Sequence, residues 1–579
     1  MVTGGIPIPE PTSGVADTPR EVRDAAIAEL RDRASTWAST PLERRIALLE
    51  ELTRSTLAAA PAWAAAAAAA KGLSPESAHV AEDWGTGPVT VLRTLRLLEA
   101  TLRDIATSGR PRPPAVRASA SGGVVVDVLP ATRGDPLLFP GFSAEVRLTP
   151  GVTLEEALAR MGRIYRPGHV PDPGVGLVLG AGNVSSIGPM DVLAQLFAHD
   201  RVVLFKPSPV TAHLGAHVGE AFAPLVEAGF LRIVYGGASV GAELAGHDDV
   251  TAVHVTGSDK THDALVFGSA PQRARTRTHV PPLLHKPVTS ELGSVTPVIV
   301  VPGPWSQRDL TYQGHNIASM LVDNAGFNCV AARVVVQHRA WSKRRALLDA
   351  VRVSLRAAEE RVPYYPGAVD RWRLFTHAHP SAEWFGEPGE HRIPFTLIPE
   401  LDPADEDDIA FTTEAFCGVM GEVALDASRS IPDYLDEAVA FCNDVLWGTL
   451  AATIIVHPRS LADPDVAAAV DRAVDDLRYG TVVLNHWPGA AYALGTTPWG
   501  GAPGSPAHDI QSGSGFVHNT YLLEDVEKSV VRGPFRPSLT PVWFHTHRTA
   551  PELLPVLADY IATQDPRRLP GLMLRAVRG

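Results

Sequence analysis

The stretch Gly176-Leu-Val-Leu-Gly-Ala-Gly-Asn183 decides the fold. It reads as a short buried strand that ends in a glycine-rich turn. Three more runs follow at similar spacing: Arg201-Val-Val-Leu-Phe-Lys206, Leu231-Arg-Ile-Val-Tyr-Gly-Gly237 and Ala252-Val-His-Val-Thr-Gly-Ser258. Helix-like segments at 189–199, 211–228 and 239–246 separate them. Strands alternating with helices at this interval predict βαβ units, a parallel sheet of Rossmann type, and ligands at the carboxyl ends of the strands.

Downstream, Ser290-Glu291-Leu-Gly293 opens a β-branched run over 295–301 that predicts another buried strand, leading toward Asn324-Ala-Gly-Phe-Asn-Cys329. Cys329 is one of three cysteines and lies among small and polar neighbours, a setting that suits a nucleophile better than a packed thiol. A thiolate attacks a carbonyl carbon, and a general base then activates water against the resulting thioester. Cys329 with Glu291 is therefore a sufficient chemical pair.

Composition excludes other classes. With 51 basic and 64 acidic side chains, the net charge of −13 repels polyphosphate and argues against nucleic-acid binding. Three cysteines make no disulfide scaffold, and no Cys-x-x-Cys motif points to a metal. The alanine-rich run at 58–70 is too short for a membrane span and reads as a packed helix. The amino terminus lacks the pattern of a signal peptide, so a cytoplasmic location is expected.

Several ordered motifs resemble those of the aldehyde dehydrogenase superfamily over about residues 20–530. The family's Pro-Trp-Asn turn is met by Ala181-Gly182-Asn183, and its Lys-Pro-Ser/Ala-Glu by Lys206-Pro207-Ser208-Pro209. Its Gly-x-x-x-Gly helix start is met by Gly237 to Gly241, and Phe-Thr-Gly-Ser by Val255-Thr256-Gly257-Ser258. Glu291-Leu-Gly-Ser294, the Cys329 segment, Glu414-Ala-Phe416-Cys-Gly418 and Pro498-Trp-Gly-Gly501 continue the series in the family's order.

The resemblance implies an NAD- or NADP-dependent oxidation of an aldehyde to its acid. In it Cys329 is the nucleophile, Glu291 the base for hydrolysis, and the Asn183 amide with the Cys329 N–H the oxyanion donors. It assigns cofactor binding to Lys206, Ser208, Pro209, Gly237, Gly241, Thr256, Gly257, Ser258, Leu292, Glu414 and Phe416. Within that set, Gly257-Ser258 would meet the pyrophosphate at a helix start, Lys206 the adenosine ribose, Glu414 the nicotinamide ribose, and Phe416 the nicotinamide ring. Pro209 replaces a glutamate that accepts from the adenosine ribose in many members, so NADP is a plausible cofactor. Gly182 replaces the family's tryptophan.

The implied architecture is α/β. A cofactor domain over 1–290 would hold a helical entry (20–108), an arm-like excursion (about 115–150) that joins subunits, and a sheet core (165–290). A catalytic domain would follow over 291–487. Residues 488–579 would form a return segment, an oligomerisation strand and an extra tail with a helix near 551–563. Phe327, Trp487 and Trp499 suggest an apolar substrate lining, and the loop Leu137-Leu-Phe-Pro-Gly-Phe142 is expected at a subunit contact rather than at substrate. A homodimer or homotetramer is expected. The rival readings are an acyl-thioester reductase of the fatty-acid reductase kind and a non-catalytic relative.

Overall fold

The computed structural model describes residues 3–11, 14–119, 122–268, 281–389, 392–426 and 430–579. A six-stranded sheet has Val175–Leu179 at its centre. Val202–Lys206 and Leu231–Ile233 lie on one side, and Val250–Gly257 and Val288–Leu292 on the other, all parallel. The chain thus adds strands first in one direction and then in the other. The crevice between the turns after Val175–Leu179 and Val250–Gly257 is the switch point at which such sheets bind ligands.

The strand expected at 295–301 is present as Pro297–Val300, and a separate strand, Val288–Leu292, precedes it in the other sheet. Val288–Leu292 is the last parallel strand of the first sheet, and Pro297–Val300 lies inside the second. The break falls at Gly293, where any β-carbon would collide with the Glu414 carboxylate. Glu291 is therefore held on a strand of the nucleotide-binding type of sheet, with its partner strand Val250–Gly257 placing Thr256 beside it.

The second sheet has eleven strands, with Val334–His338, Pro297–Val300, Ala451–Ile455 and Thr481–Leu484 in its parallel middle. The expected excursion is present as the strands Ala115–Ala118, Val124–Leu129 and Ser143–Leu148. Val526–Arg532 connects them to the rest: it pairs antiparallel with Ser143–Leu148 and parallel with Thr481–Leu484. Within the single chain the arm therefore extends its own large sheet.

The loop of the arm is anchored by a buried ion pair. Arg93 donates twice to Asp135, at 2.9 and 3.2 Å, and also to the Leu494 carbonyl; Asp135 further accepts from the N–H groups of Ala131 and Thr132. Burial alone would raise the Asp135 carboxyl, but the Arg93 charge and these hydrogen bonds hold it below the usual carboxylate range. Its stabilising contribution is complete above about pH 4, the unfolded carboxylate value, and is lost as pH falls through the lower folded value. Asp135→Ala strands the Arg93 charge in the interior and is expected to cost about 3–5 kcal/mol, measured as a drop in denaturant midpoint at unchanged slope.

The alanine-rich segment forms the second half of the helix Leu42–Ala70, with Trp63, Ala64, Ala67 and Ala68 buried, as expected of a packed helix. Among the described residues no helix is long and apolar enough to cross a membrane. The tail carries the helices Ala550–Thr563 and Leu569–Arg578. The first of these packs Leu553, Leu554, Ala558 and Ile561 against Ala81, Val89 and Leu92 of the amino-terminal helical region.

Candidate active site

The loop that carries Cys329 is held from several directions. Asn324, Ala325 and Gly326 all have positive φ, at 51°, 56° and 79°. For alanine this conformation is strained, and it persists only where the surroundings enforce it. Gly326 is obligatory because a β-carbon would come within 2.7 Å of the Cys417 carbonyl. Arg333 donates to the carbonyls of Gly326, Asn328 and Cys417, and the Asn324 N–H donates to Glu82, itself clamped by Arg361. The Asn328 amide donates to Asp323 at 2.8 Å.

These contacts bring the Cys329 thiol to 3.5 Å from Oε1 of Glu291. Burial, followed by the charges of Glu291 and Glu414, raises the thiol well above its usual value, so Cys329 rests protonated with Glu291 as its acceptor. Burial raises the Glu291 carboxyl to about 7, a tendency that the adjacent Trp499 indole opposes and the Asp191 charge reinforces. Oε2 of Glu291 has no protein partner, which leaves one carboxylate oxygen for water. A carboxyl poised near neutrality beside a thiol is suited to take a proton, give it up and take another.

Asn183 also reaches this point, donating from Nδ2 to the Phe327 carbonyl at 3.0 Å. One amide hydrogen thus positions the cysteine loop, and no protein acceptor for the second is found among the described residues. No protein acceptor for the Cys329 N–H other than its own sulfur is found among the described residues. The expected apolar lining is only partly realised. Trp487 borders a cavity on the far side of the loop, whereas Phe327 is buried against Tyr364 and Tyr365 and Trp499 is buried against Tyr492. Bulky aromatics next to a motif were read as lining, but these two are core.

The cleft at the switch point, of about 450 Å³, is lined by Gly180 to Asn183, Lys206, Ser208, Pro209, Gly241, Thr256, Gly257, Ser258, Glu291, Leu292, Cys329, Glu414 and Phe416. Lys206 donates to the Gly236 carbonyl at 2.7 Å, and burial lowers its ammonium to about 8, with the Glu10 charge opposing. Ser258 caps the helix Asp259–Phe267, and open space lies above Gly257. Glu414 is buried with Oε1 unpartnered, and burial raises its carboxyl to about 8 against the pull of Arg333. The Thr256 hydroxyl donates to Asp191 at 3.0 Å. Gly182 is explained by Tyr365, whose hydroxyl occupies the space of a larger residue at that turn.

A dinucleotide fits this donor set. The cleft combines a helix start with open space above its glycine, a buried lysine at the next strand end, and an orphaned carboxylate oxygen on Glu414 beside Cys329. What the motifs did not reveal is the amino-terminal segment. Gly4–Gly5 pairs with Thr413–Glu414, the Gly5 N–H donates to Asp259, and residues 5–11 run along the cleft. Glu10 accepts from the Ala238 N–H at 2.7 Å, at the start of the helix Ala238–Gly246, and lies directly over Gly237. No local sequence signal marks this glutamate, because its partners are more than two hundred residues away.

The fold and the cleft define an α/β protein with a dinucleotide-binding type of sheet facing a thiol and carboxyl. A model of the aldehyde dehydrogenase family matches residues 167–360. Among solved structures, the chain is similar to aldehyde dehydrogenase 21 from Physcomitrella patens, at 16% identity over 89% of this chain and 91% of that one, with a TM-score of 0.60. It is also similar to an NADP-dependent glyceraldehyde-3-phosphate dehydrogenase from Bacillus halodurans (17%, 90% and 92%, 0.57). A third is an NAD-dependent aldehyde dehydrogenase from Sinorhizobium meliloti (16%, 93% and 91%, 0.58). The family model matches residues 167–360 only, and the likeness to the solved structures is one of fold.

Proposed function

We propose that the protein oxidises an apolar aldehyde to the carboxylic acid through a covalent intermediate on Cys329. The observation that carries this reading is the thiol 3.5 Å from a buried, half-free carboxylate at the inner end of the nucleotide cleft. As Sγ attacks the carbonyl carbon, its proton passes to Glu291. The second Asn183 amide hydrogen and the Cys329 N–H face the developing oxyanion. The cleft residues Lys206, Gly257 and Ser258 would hold NAD or NADP, which when bound would supply the hydride acceptor. The thioester left on Cys329 is then cleaved by water, whose proton Glu291 removes after returning the first to solvent.

Ser208, Leu292 and the glycines Gly237, Gly241 and Gly257 shape the cleft by letting backbone approach, and Lys206 serves the adenosine ribose. Glu10 supplies a carboxylate to the corner where Pro209 lacks one, so NAD is favoured over NADP: a carboxylate accepts from a 2′-hydroxyl and repels a 2′-phosphate. Glu10→Ala is expected to weaken NADH binding about tenfold, the effect of losing a hydrogen bond to a charged group, and to strengthen NADPH binding. Titration of cofactor fluorescence reads both. For assembly and location we retain a cytoplasmic homodimer or homotetramer, which mass measurement in solution tests.

The function itself is tested by incubating the protein with straight-chain aldehydes and NAD or NADP, with and without coenzyme A, and analysing the products. Free acid without coenzyme A is expected. Strict dependence on coenzyme A would instead favour a thioester-forming or thioester-reducing enzyme, and no turnover a non-catalytic relative.

A further inference from the structure

The turn from Asp323 to Cys329 hangs on two carboxyls. Asn328, the residue before the nucleophile, donates its side-chain amide to Oδ1 of Asp323 at 2.8 Å and to the Asp323 carbonyl at 3.3 Å, which closes the turn on itself. At the other end, the Asn324 backbone N–H donates to Glu82 at 3.1 Å. Asp323 ends the helix Gln307–Val322, and Glu82 lies in the helix Val80–Trp84 of the amino-terminal region. Since Asp323 and Asn324 are adjacent, the two carboxyls meet at one corner.

The two groups are not equivalent. Arg361 donates to both oxygens of Glu82, at 2.9 and 3.0 Å, and the His79 ring lies 2.6 Å from Oε1. Lys71, the other cation nearby, is taken by Asp83 at 2.6 Å. Tyr364 donates to the Asn324 side chain at 3.1 Å, and burial keeps its hydroxyl protonated. Asp323 is left with the neutral Asn328 amide and with no cation in ion-pair contact among the described residues. Burial, reinforced by the Glu82 charge, raises the Asp323 carboxyl to about 8. Burial would raise Glu82 as well, but the charges of Arg361 and His79 hold it well below the usual carboxylate range. One guanidinium cannot support two ionised carboxylates at one buried corner.

Resting on the aldehyde reading above, we propose that Glu82 and Asp323 are positioning residues for Cys329, Glu82 as an anion and Asp323 as a neutral acid, and that the turn keeps its reactive shape only while one of the two is charged. Asn324 and Ala325 sit at φ of 51° and 56°, a conformation held by these ties rather than by local preference. Loss of a tie lets the turn relax and carries Sγ away from the Glu291 oxygen at 3.5 Å. Ionisation of Asp323 beside Glu82 loosens it by repulsion, which gives the rate an alkaline limit near pH 8.

The test compares Asp323→Ala, Asp323→Asn and Glu82→Gln in the full chain with propanal and NAD, at saturating cofactor so that titration of Lys206 does not enter. Asparagine copies the shape of a protonated carboxyl, accepts from Asn328 and cannot ionise. Asp323→Ala is expected to lower kcat at pH 7 about tenfold, the effect of one lost hydrogen bond, with NADH affinity unchanged. Asp323→Asn is expected to recover the rate to within about twofold and to abolish the alkaline fall. Glu82→Gln should lose rate at pH 7, yet it too should lose the alkaline fall, because no second carboxylate remains to repel Asp323. As a readout without turnover, alkylation of Cys329 by iodoacetamide is followed by peptide mass; the other two cysteines are buried. Asp323→Ala is expected to react about tenfold more slowly than the wild type at pH 7, and Asp323→Asn within about twofold of it. An asparagine variant as impaired as the alanine one, or an alkaline fall that persists in it, would overturn the proposal while leaving aldehyde oxidation intact. The expected alkylation pattern without any aldehyde turnover would keep the two positioning residues and sink the reaction.

Discussion

Cys329→Ala is expected to reduce aldehyde oxidation by roughly four orders of magnitude or more, because removing a covalent nucleophile leaves only binding and oxyanion stabilisation. The size of the effect follows from the geometry. The other two cysteines, Cys417 and Cys442, are buried in the second core and do not line the cleft, so neither is placed to substitute. The substitution removes one sulfur from a loop fixed by Arg333, Glu82 and Asn183 through backbone atoms, so the fold is expected to survive. Unchanged thermal unfolding and unchanged NADH binding alongside the lost rate would establish that chemistry alone was removed. Residual turnover above about one per cent of the wild-type rate would contradict a cysteine intermediate.

Glu291→Gln is the second large effect. A glutamine cannot take a proton from water, so hydrolysis of the thioester is expected to slow by about 10²–10⁴-fold, the usual span for general-base loss. One equivalent of reduced cofactor per site should appear as a burst before the stall. The burst itself is expected to be slower than in the wild type, since the thiol also loses its acceptor at 3.5 Å. Rapid-mix absorbance of the reduced cofactor separates the two phases, and steady turnover at the wild-type rate would remove Glu291 from the mechanism.

The pH dependence follows from the same group. With the Glu291 carboxyl raised to about 7, its basic form is lost as pH falls below that value, so the wild-type rate is expected to decline on the acid side of about pH 7. A carboxyl with a folded pKa above its unfolded value loses stability as pH rises from the unfolded value to the folded one. Glu291→Gln should abolish that decline in stability, and the variant should melt no lower than the wild type at neutral and alkaline pH.

Much of this site was legible in the chain before folding. The turns Gly180 to Asn183 and Gly257-Ser258, and Lys206, follow buried strands of four to six apolar residues, and hydrophobic period plus glycine is the strongest local signal available. Cys329 and Glu291 stood out by chemistry. The reading of an apolar lining failed where side-chain direction mattered: Phe327 and Trp499 turn into core. A strand alternates its faces, and which face meets a helix is decided by the packing of the whole sheet. The strand Val288–Leu292 was not read from the sequence, and its end at Gly293 is required by a carboxylate that arrives from residue 414.

Local pattern therefore determined the parallel sheet and its glycine turns and singled out the Cys329 segment, because each of these depends on residues close together in the chain. Tertiary structure alone decided that Glu10 sits over Gly237 and that the tail helix Ala550–Thr563 packs on the amino-terminal helical region. Glu10 and the tail helices reach their places through contacts separated by hundreds of residues, and such contacts form only when burial of the shared apolar surface outweighs the entropy of closing the long loops between them.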